Sequence, residues 1–499
     1  MKVAVYCGAK SWIDICDKVP GNLTKLNYEN VLSWLNGAGE GDYLIFGTDV
    51  IPYTIFNYPE TNLANTPLFA FLRRGGRVIW IGDVPLMFRE KQGKIESPGI
   101  VQVGVSTTYA PSPYNLPAPL PYPANFEDKP YSFNIKPSIV GSYLSYEQRE
   151  SWRPVQLSGN IIPLSFTLED LVPSWILPLE KGFFVRLFDG KTVDPSYVFS
   201  FPGKFESLHD KYLFGISYRI HKNLKLTLPK ASLYVIVGDN NVGKTSILEA
   251  IALLDSRNIG MIISHRETET DFRIEAYLPY IYVKAIRGVV SLQSNLSALL
   301  IYPRFSGTED LLNTLKENER VEFQMRMTEA LRKFLRDIVY VYVSTKENNK
   351  DKREVRVLLK LPKINDDQEV DLPENYQDRK LSELGEGYRE LINFMALYVL
   401  RKPDIVLIDD LEAFALHPDL LKQFIEVLLN LGKPVFITTQ SMDVMYYVNE
   451  VAKSRNREDV YYILLGRGSA YRVKTRKEYE ELEFVDIRRL AKGVTDESG

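Results

Sequence analysis

LYVIVGDNNVGKTSILEAIALL, Leu233 to Leu254, decides how the rest of the chain is read. Leu233 to Val237 is an apolar run, the pattern of a buried strand. Gly238 to Thr245 fits G-x-x-x-x-G-K-[ST], and Ile247, Ile251 and Leu254 then recur at helical spacing. A strand, a glycine loop and a helix in that order form a setting for polyphosphate. The glycines let the backbone turn its N–H groups inward, and the helix N-terminus adds partial positive charge. The expected contacts are Gly238, Asp239, Asn240, Asn241, Val242, Gly243, Lys244, Thr245 and Ser246. Lys244 would reach the β and γ phosphates of ATP, and Thr245 would hold Mg²⁺ through its hydroxyl. The plain alternative is a glycine turn ahead of an ordinary helix.

Around this stretch the bulk numbers are ordinary. A chain of 499 residues suggests two or three domains, and 45% hydrophobic with 25% charged residues fits a soluble globular protein. No apolar run approaches the ~20 residues of a membrane span, and MKVAVYCGAK opens as a strand rather than a signal peptide. Two cysteines, Cys7 and Cys16, exclude a disulfide scaffold and point to the cytoplasm. A net charge of −3 argues against a protein coated in nucleic acid, though a local basic groove is compatible with it.

Residues 1–205 read as an α/β domain. Lys2–Cys7, Asp42–Phe46 and Arg77–Ile81 are strand patterns; Tyr28–Leu35 and Thr66–Arg74 are helical, the second stopped by Gly75 and Gly76. This alternation implies a doubly wound parallel sheet. Asp49 and Asp83 fall at strand carboxyl ends, where such sheets hold ligands; the alternative is that both cap turns. FLRRGGRVIWIGDVP, residues 71–85, resembles the corresponding strand of class I glutamine-amidotransferase-like domains, a flavodoxin-like fold. That chemistry needs a Cys nucleophile and a His base. No His precedes His209, and both cysteines lie away from the nucleophile turn, so the resemblance implies the fold without the catalysis. The proline-rich run 110–137 reads as a long loop, with an SH3-type ligand as the alternative. The expected domain boundary is Pro195–Asp210.

Residues 206–499 then form an α/β P-loop NTPase domain. Tyr212–Leu228 reads as two short strands turning near His221. Pro403 to Asp410 is an apolar strand ending in two acids, the Walker B form. Asp409 would bind Mg²⁺ and Asp410 would polarise the attacking water. Pro434 to Ser441 is another apolar strand with a polar end, where Gln440 could meet the γ-phosphate. Between the Walker segments, LSELGEG (381–387) precedes the apolar helix Tyr388–Leu400. Residues 256–380 read as an insertion, helical around Leu311–Leu315 and Met327–Ile338, with strands at Val339–Val343 and Val355–Leu361.

The order of these motifs resembles the ABC-type ATPases of the SMC and OLD kind, within the AAA families. GDNNVGKTSILEAI, LSELGEGYREL, IVLIDDLEAFALHP and FITTQSMDV carry the resemblance, and VDIRR at 485–489 looks like the closing motif. It implies an SMC-head-type domain in which Ser382, Gly385 and Gly387 form a signature loop against ATP held by a second copy. Nucleotide would thus join a homodimer or a higher homo-oligomer. The chain departs from the pattern at two places. Asp410 stands where the family has Glu, one methylene shorter, so hydrolysis is expected to be slow or assisted by Glu412. Gln440 replaces the switch His and can orient water but cannot titrate. His417 and Pro418 match the family's His-Pro with one extra residue before them, and Gln293 is the candidate for the glutamine loop. No sustained heptads appear, so no coiled-coil arm is expected.

The leading expectation is a Mg-dependent ATPase that dimerises on nucleotide and drives an amino-terminal sensing or effector domain, in nucleic-acid maintenance or antiviral defence. Nucleic acid or an effector protein would be its partner, and no nuclease is expected within the chain. The alternatives are a slow nucleotide-gated assembly switch, and a small-molecule enzyme in the first domain regulated by ATP.

Overall fold

The computed structural model describes residues 1–57, 61, 63–96, 127–157, 160–266, 271–279, 281–286, 289–291, 296–303, 312–313, 315–332, 335, 338–346, 349–360, 376–467 and 470–480. Most of the proline-rich run, Gln293 and VDIRR lie outside them.

The amino-terminal part contains β1 (Val3–Tyr6), β2 (Thr24–Leu26), α1 (Val31–Gly37), β3 (Tyr43–Phe46), α2 (Pro67–Arg73), β4 (Arg77–Ile81) and α3 (Ile139–Tyr143). It continues with β5 (Ile162–Pro163), β6 (Trp175–Leu179), β7 (Gly182–Leu187) and α4 (Pro195–Glu206). The sheet runs β2-β1-β3-β4-β7-β6-β5. Its first five strands are parallel, as expected, and β6 and β5 add an antiparallel edge. Helix α2 starts on Pro67 and gives way to Gly75 at φ 93°, a conformation that suits glycine. One core fills this part from Ala4 to Leu208, so α4 belongs with it: Val198, Phe201 and Phe205 are buried there. Asp194 caps α4 by accepting the N–H groups of Ser196 and Tyr197.

The strand-end acids and the cysteines of this region are all engaged within the fold. Asp49 does not open toward a pocket; it is fully buried and accepts the N–H groups of Ser11, Trp12 and Ile13, folding the loop after β1 back onto the sheet. Asp83 is paired with Arg153 at 3.0 Å, both side chains at most 5% exposed. Asp189 gathers the same segment, accepting Ser151 Oγ and the N–H groups of Trp152 and Arg153. The cysteines are also not free: Cys7 ends β1, the pinned loop returns Cys16 to a Cα separation of 5.7 Å, and the two form a disulfide. It is a single local bridge, not a scaffold.

The carboxy-terminal part runs β8 (Lys211–Tyr218), β9 (His221–Pro229), β10 (Leu233–Gly238), α5 (Lys244–Ala252), β11 (Phe272–Leu278), β12 (Ile281–Ile286), β13 (Val289–Ser291) and β14 (Ala298–Ile301). It continues through α6 (Glu317–Arg332), β15 (Ile338–Lys346), β16 (Asn349–Lys360), β17 (Tyr376–Lys380), α7 (Glu386–Arg401) and β18 (Ile405–Ile408). Then follow α8 (Pro418–Leu429), β19 (Val435–Thr439), α9 (Met442–Ser454), β20 (Val460–Leu465) and β21 (Tyr471–Thr475). The central sheet is ordered β14-β18-β19-β10-β20-β21, parallel except for β21. Strand β10 is apolar throughout because both its faces are covered: Leu233, Val235 and Val237 enter one core, Tyr234 and Ile236 the other. An antiparallel sheet, β9-β8-β11-β12-β13, packs beside it. The segment 256–380 holds the strands expected near Val339–Val343 and Val355–Leu361 and further strands that were not expected. Strands β11 to β13 complete the antiparallel sheet, β14 joins the central one, and α6 packs on the sheet β15-β16-β17. The parts meet where Glu275 of β11 accepts the Ile139 N–H at 3.0 Å and Lys284 of β12 reaches Asp170 at 2.6 Å.

Candidate nucleotide-binding site

The sheet order brings the candidate residues together. Strand β10 lies beside β19, and β19 beside β18, all parallel. Their carboxyl ends therefore open onto one edge, carrying the glycine loop, Asp409 and Asp410, and Thr438 to Gln440. Asn241 and Gly243 adopt left-handed conformations, φ 64° and 96°, and α5 starts at Lys244. Gly238 is boxed in: a Cβ there would lie 2.5 Å from the Leu465 carbonyl oxygen. Lys244 Nζ donates to the Gly238 and Asp239 carbonyls at 2.9 and 3.0 Å, so its ammonium is folded over the loop. Burial lowers its pKa below the usual lysine range, against the pull of Asp410, Glu412, Asp409 and Asp239. Val242 and Ser246 are buried, whereas Asn240 and Asn241 are exposed.

Opposite the loop, Thr245 Oγ1 donates to Asp409, 2.9–3.0 Å from both carboxylate oxygens. Thr438 Oγ1 donates to Asp409 at 2.7 Å and accepts the Asp410 N–H at 2.8 Å. Thr438 thus locks the Walker B turn, a role the sequence reading missed. A Thr at the end of an apolar strand beside the acid strand was the available signal. Asp410 is held at φ 45° and its carboxylate accepts no hydrogen bond among the described residues. Burial, then Asp409 and Glu412, raise its pKa above the usual carboxylate range, with Lys244 opposing.

Glu412 sits differently from the expected assistant base. Its two oxygens accept Thr439 Oγ1 at 2.7 Å and the Gln440 N–H at 2.8 Å. It is a clamp on the end of β19, which fixes where Gln440 starts. His417 is exposed and caps α8, its Nδ1 accepting the Asp419 N–H at 3.4 Å. Ser382 and Gly385 lie on an exposed turn ahead of α7, and Gly387 packs against Leu416 and Leu420. At the carboxyl end of β14 stands Tyr302, whose hydroxyl donates to Glu249 on α5.

The residues present fit a magnesium nucleotide. The loop and α5 offer N–H groups to phosphate, and Lys244 supplies the cation. Thr245 and Asp409 are already mutually placed to share a hard cation and its waters. Among the described residues no group of three or more His, Cys, Asp or Glu is placed to hold a metal by itself.

The parallel central sheet, with the glycine loop between β10 and α5, gives the carboxy-terminal half an α/β P-loop NTPase fold. Residues 320–445 match the family model described as AAA domain, putative AbiEii toxin, Type IV TA system, and residues 21–109 match the MJECL34 family. No curated protein matches the chain. Among solved structures it is similar to the SMC head domain from Thermotoga maritima, at 12% identity over 53% of this chain and 98% of that chain, TM-score 0.31. It is similar to the Smc head domain with an extended coiled coil bound to the C-terminal domain of ScpA, from Pyrococcus furiosus, at 10% identity over 55% and 98%, TM-score 0.31. It is also similar to cbiO1 from Clostridium perfringens, part of the ABC transporter complex cbiONQ, at 14% identity over 57% and 96%, TM-score 0.31. At such scores these likenesses add no weight to the strand order and the site.

Proposed function

We propose that the chain binds Mg·ATP at the Gly238–Ser246 loop and hydrolyses it slowly, as a domain (about 206–499) attached to an amino-terminal sensing or effector domain (about 1–205). The observation that carries this reading is the Thr245, Asp409 and Thr438 network at the same sheet edge as Lys244, whose ammonium lies over the glycine loop. Magnesium, when bound, neutralises phosphate charge and orients the polyphosphate. Thr245 and Asp409 would hold it, directly or through water. Asp410, whose carboxylate accepts no hydrogen bond among the described residues, takes the proton from the attacking water. Gln440, set by the Glu412 clamp, orients that water. Titration of Mg·ATP into wild-type protein and Lys244→Ala tests this: wild type binds saturably and the variant loses at least tenfold in affinity. Equal affinity would refute it.

The exposed Ser382–Gly385 turn supports a second step, in which two copies close over nucleotide. Mass measured by light scattering should double with Mg·ATP in Asp410→Asn protein, and revert with Ser382→Arg. The short side chain of Asp410 favours a gated switch within the same reading: Asp410→Glu should raise turnover. The description of the matched family supports a toxin–antitoxin pair as the setting, with an antitoxin-like protein as partner; antiviral defence or nucleic-acid maintenance, with nucleic acid as partner, rests on the motif resemblance alone. The site's use of ATP fits the cytoplasm. No helix among the described residues is long and apolar enough to cross a membrane.

A further inference from the structure

The turn between β8 and β9 rests on the phosphate loop. His221 is 2% exposed, and its Nε2 lies 3.1 Å from the Gly243 carbonyl oxygen. A carbonyl only accepts, so Nε2 carries the hydrogen. The same oxygen accepts the Ile247 N–H of α5 at 3.0 Å, so both its lone pairs are used. A Cβ on Gly243 would lie 2.4 Å from His221 Nε2 and 2.6 Å from Ile220 Cδ1, which shows how closely the turn covers the loop. Next to His221, Arg219 pairs at 2.9 Å with the fully buried Glu249 of α5, and Tyr218 donates to the same carboxylate at 3.2 Å.

A trans peptide points its C=O and N–H in opposite directions. Pinning the Gly243 carbonyl outward therefore aims the Lys244 N–H into the loop, where a phosphate would sit. A loop set in advance spares the ligand the cost of ordering it. The flank of the same hairpin is held by the amino-terminal part. Lys225 Nζ donates to Ser142 Oγ at 3.3 Å, and a Cβ on Gly215 would lie 3.6 Å from Ile139 Cδ1.

We propose that His221 is a positioning residue for the phosphate loop, and that through the β8–β9 hairpin it makes nucleotide affinity depend on the seating of α3. This rests on the nucleotide reading above. His221→Ala should weaken Mg·ATP binding about tenfold, while His221→Gln, which keeps an N–H donor, should recover most of the loss. Thermal melts of both variants check the fold; if His221→Ala fails to fold, His221→Leu, which keeps bulk without the donor, replaces it. Gly215→Leu, a wedge between hairpin and α3, should shift the ATP Kd about threefold or more, and not at all when His221 is also replaced. An alanine variant equal to wild type, a glutamine variant no better than alanine, or a wedge effect that persists without His221 each overturns the proposal. If wild type and Lys244→Ala both fail to bind Mg·ATP, the nucleotide reading falls with it; if only wild type binds and the His221 series is flat, this proposal alone falls.

Discussion

Replacing Glu412 separates a clamp from a base. In the structure its carboxylate holds Thr439 Oγ1 at 2.7 Å and the Gln440 N–H at 2.8 Å. Hydrogen bonds to a charged acceptor contribute about 1.5–3 kcal/mol each. Alanine removes both. Thr439 is fully buried, so its hydroxyl hydrogen loses its partner away from water, at about 1–3 kcal/mol. The half-buried Gln440 N–H can turn to solvent, so the loss of stability should stay near the middle of that range. The end of β19 is then free to drift, and a misplacement of about 1 Å at a reacting centre costs about 100-fold in rate. Glutamine at 412 keeps one carbonyl oxygen for the Gln440 N–H. We therefore expect Glu412→Ala to lose about 100-fold in kcat and Glu412→Gln less than about tenfold, with ATP affinity unchanged in both. Phosphate release under single-turnover conditions, beside a separate Kd titration, measures this. If Glu412→Gln were as inactive as Asp410→Asn, Glu412 would be the proton acceptor and the clamp reading would be wrong.

Asp410→Asn should lower turnover by about 10²–10⁴-fold while preserving Mg·ATP binding. Because burial raises the folded carboxyl's pKa above the unfolded value, the folded state holds the extra proton between the two; stability is lost as pH rises through that window, and turnover is lost as pH falls through it. The Asn variant, which cannot ionise, should accordingly melt higher at pH 7 in calorimetry. Gly238→Ala should abolish nucleotide binding and lower the melting temperature, since its Cβ would meet backbone at 2.5 Å, where nothing can yield cheaply. Arg153→Leu leaves the buried Asp83 carboxylate unpaired, so urea unfolding should show a loss of about 3–5 kcal/mol, with ATP affinity intact.

Much of the site was legible because parallel strands buried on both faces write themselves as apolar runs, and their chemistry sits just past the last apolar residue. Leu233–Gly238, Ile405–Ile408 and Val435–Thr439 all follow that rule. Strands β11 to β13 did not stand out. Phe272–Leu278 alternates buried and exposed positions at its start, and what fixes it as a strand is pairing with β8, far back in the chain. The parts played by Glu412, Thr438 and His221 were hidden for the same reason: each depends on a partner in another element. Asp49 and Asp83 were visible as strand-end acids, but their partners, the 11–13 loop and Arg153, come only with the fold.

The Asp83–Arg153 pair has a consequence for whatever the amino-terminal sheet recognises. The place at its strand ends where a guest would lodge already has a tenant, the chain's own 148–153 segment, moored to Asp189 as well. A newcomer must evict Arg153 first. Breaking such a pair costs about 3–5 kcal/mol, which would weaken apparent affinity by about 10²–10⁴-fold. Only a ligand bringing its own cation to Asp83 would escape that toll.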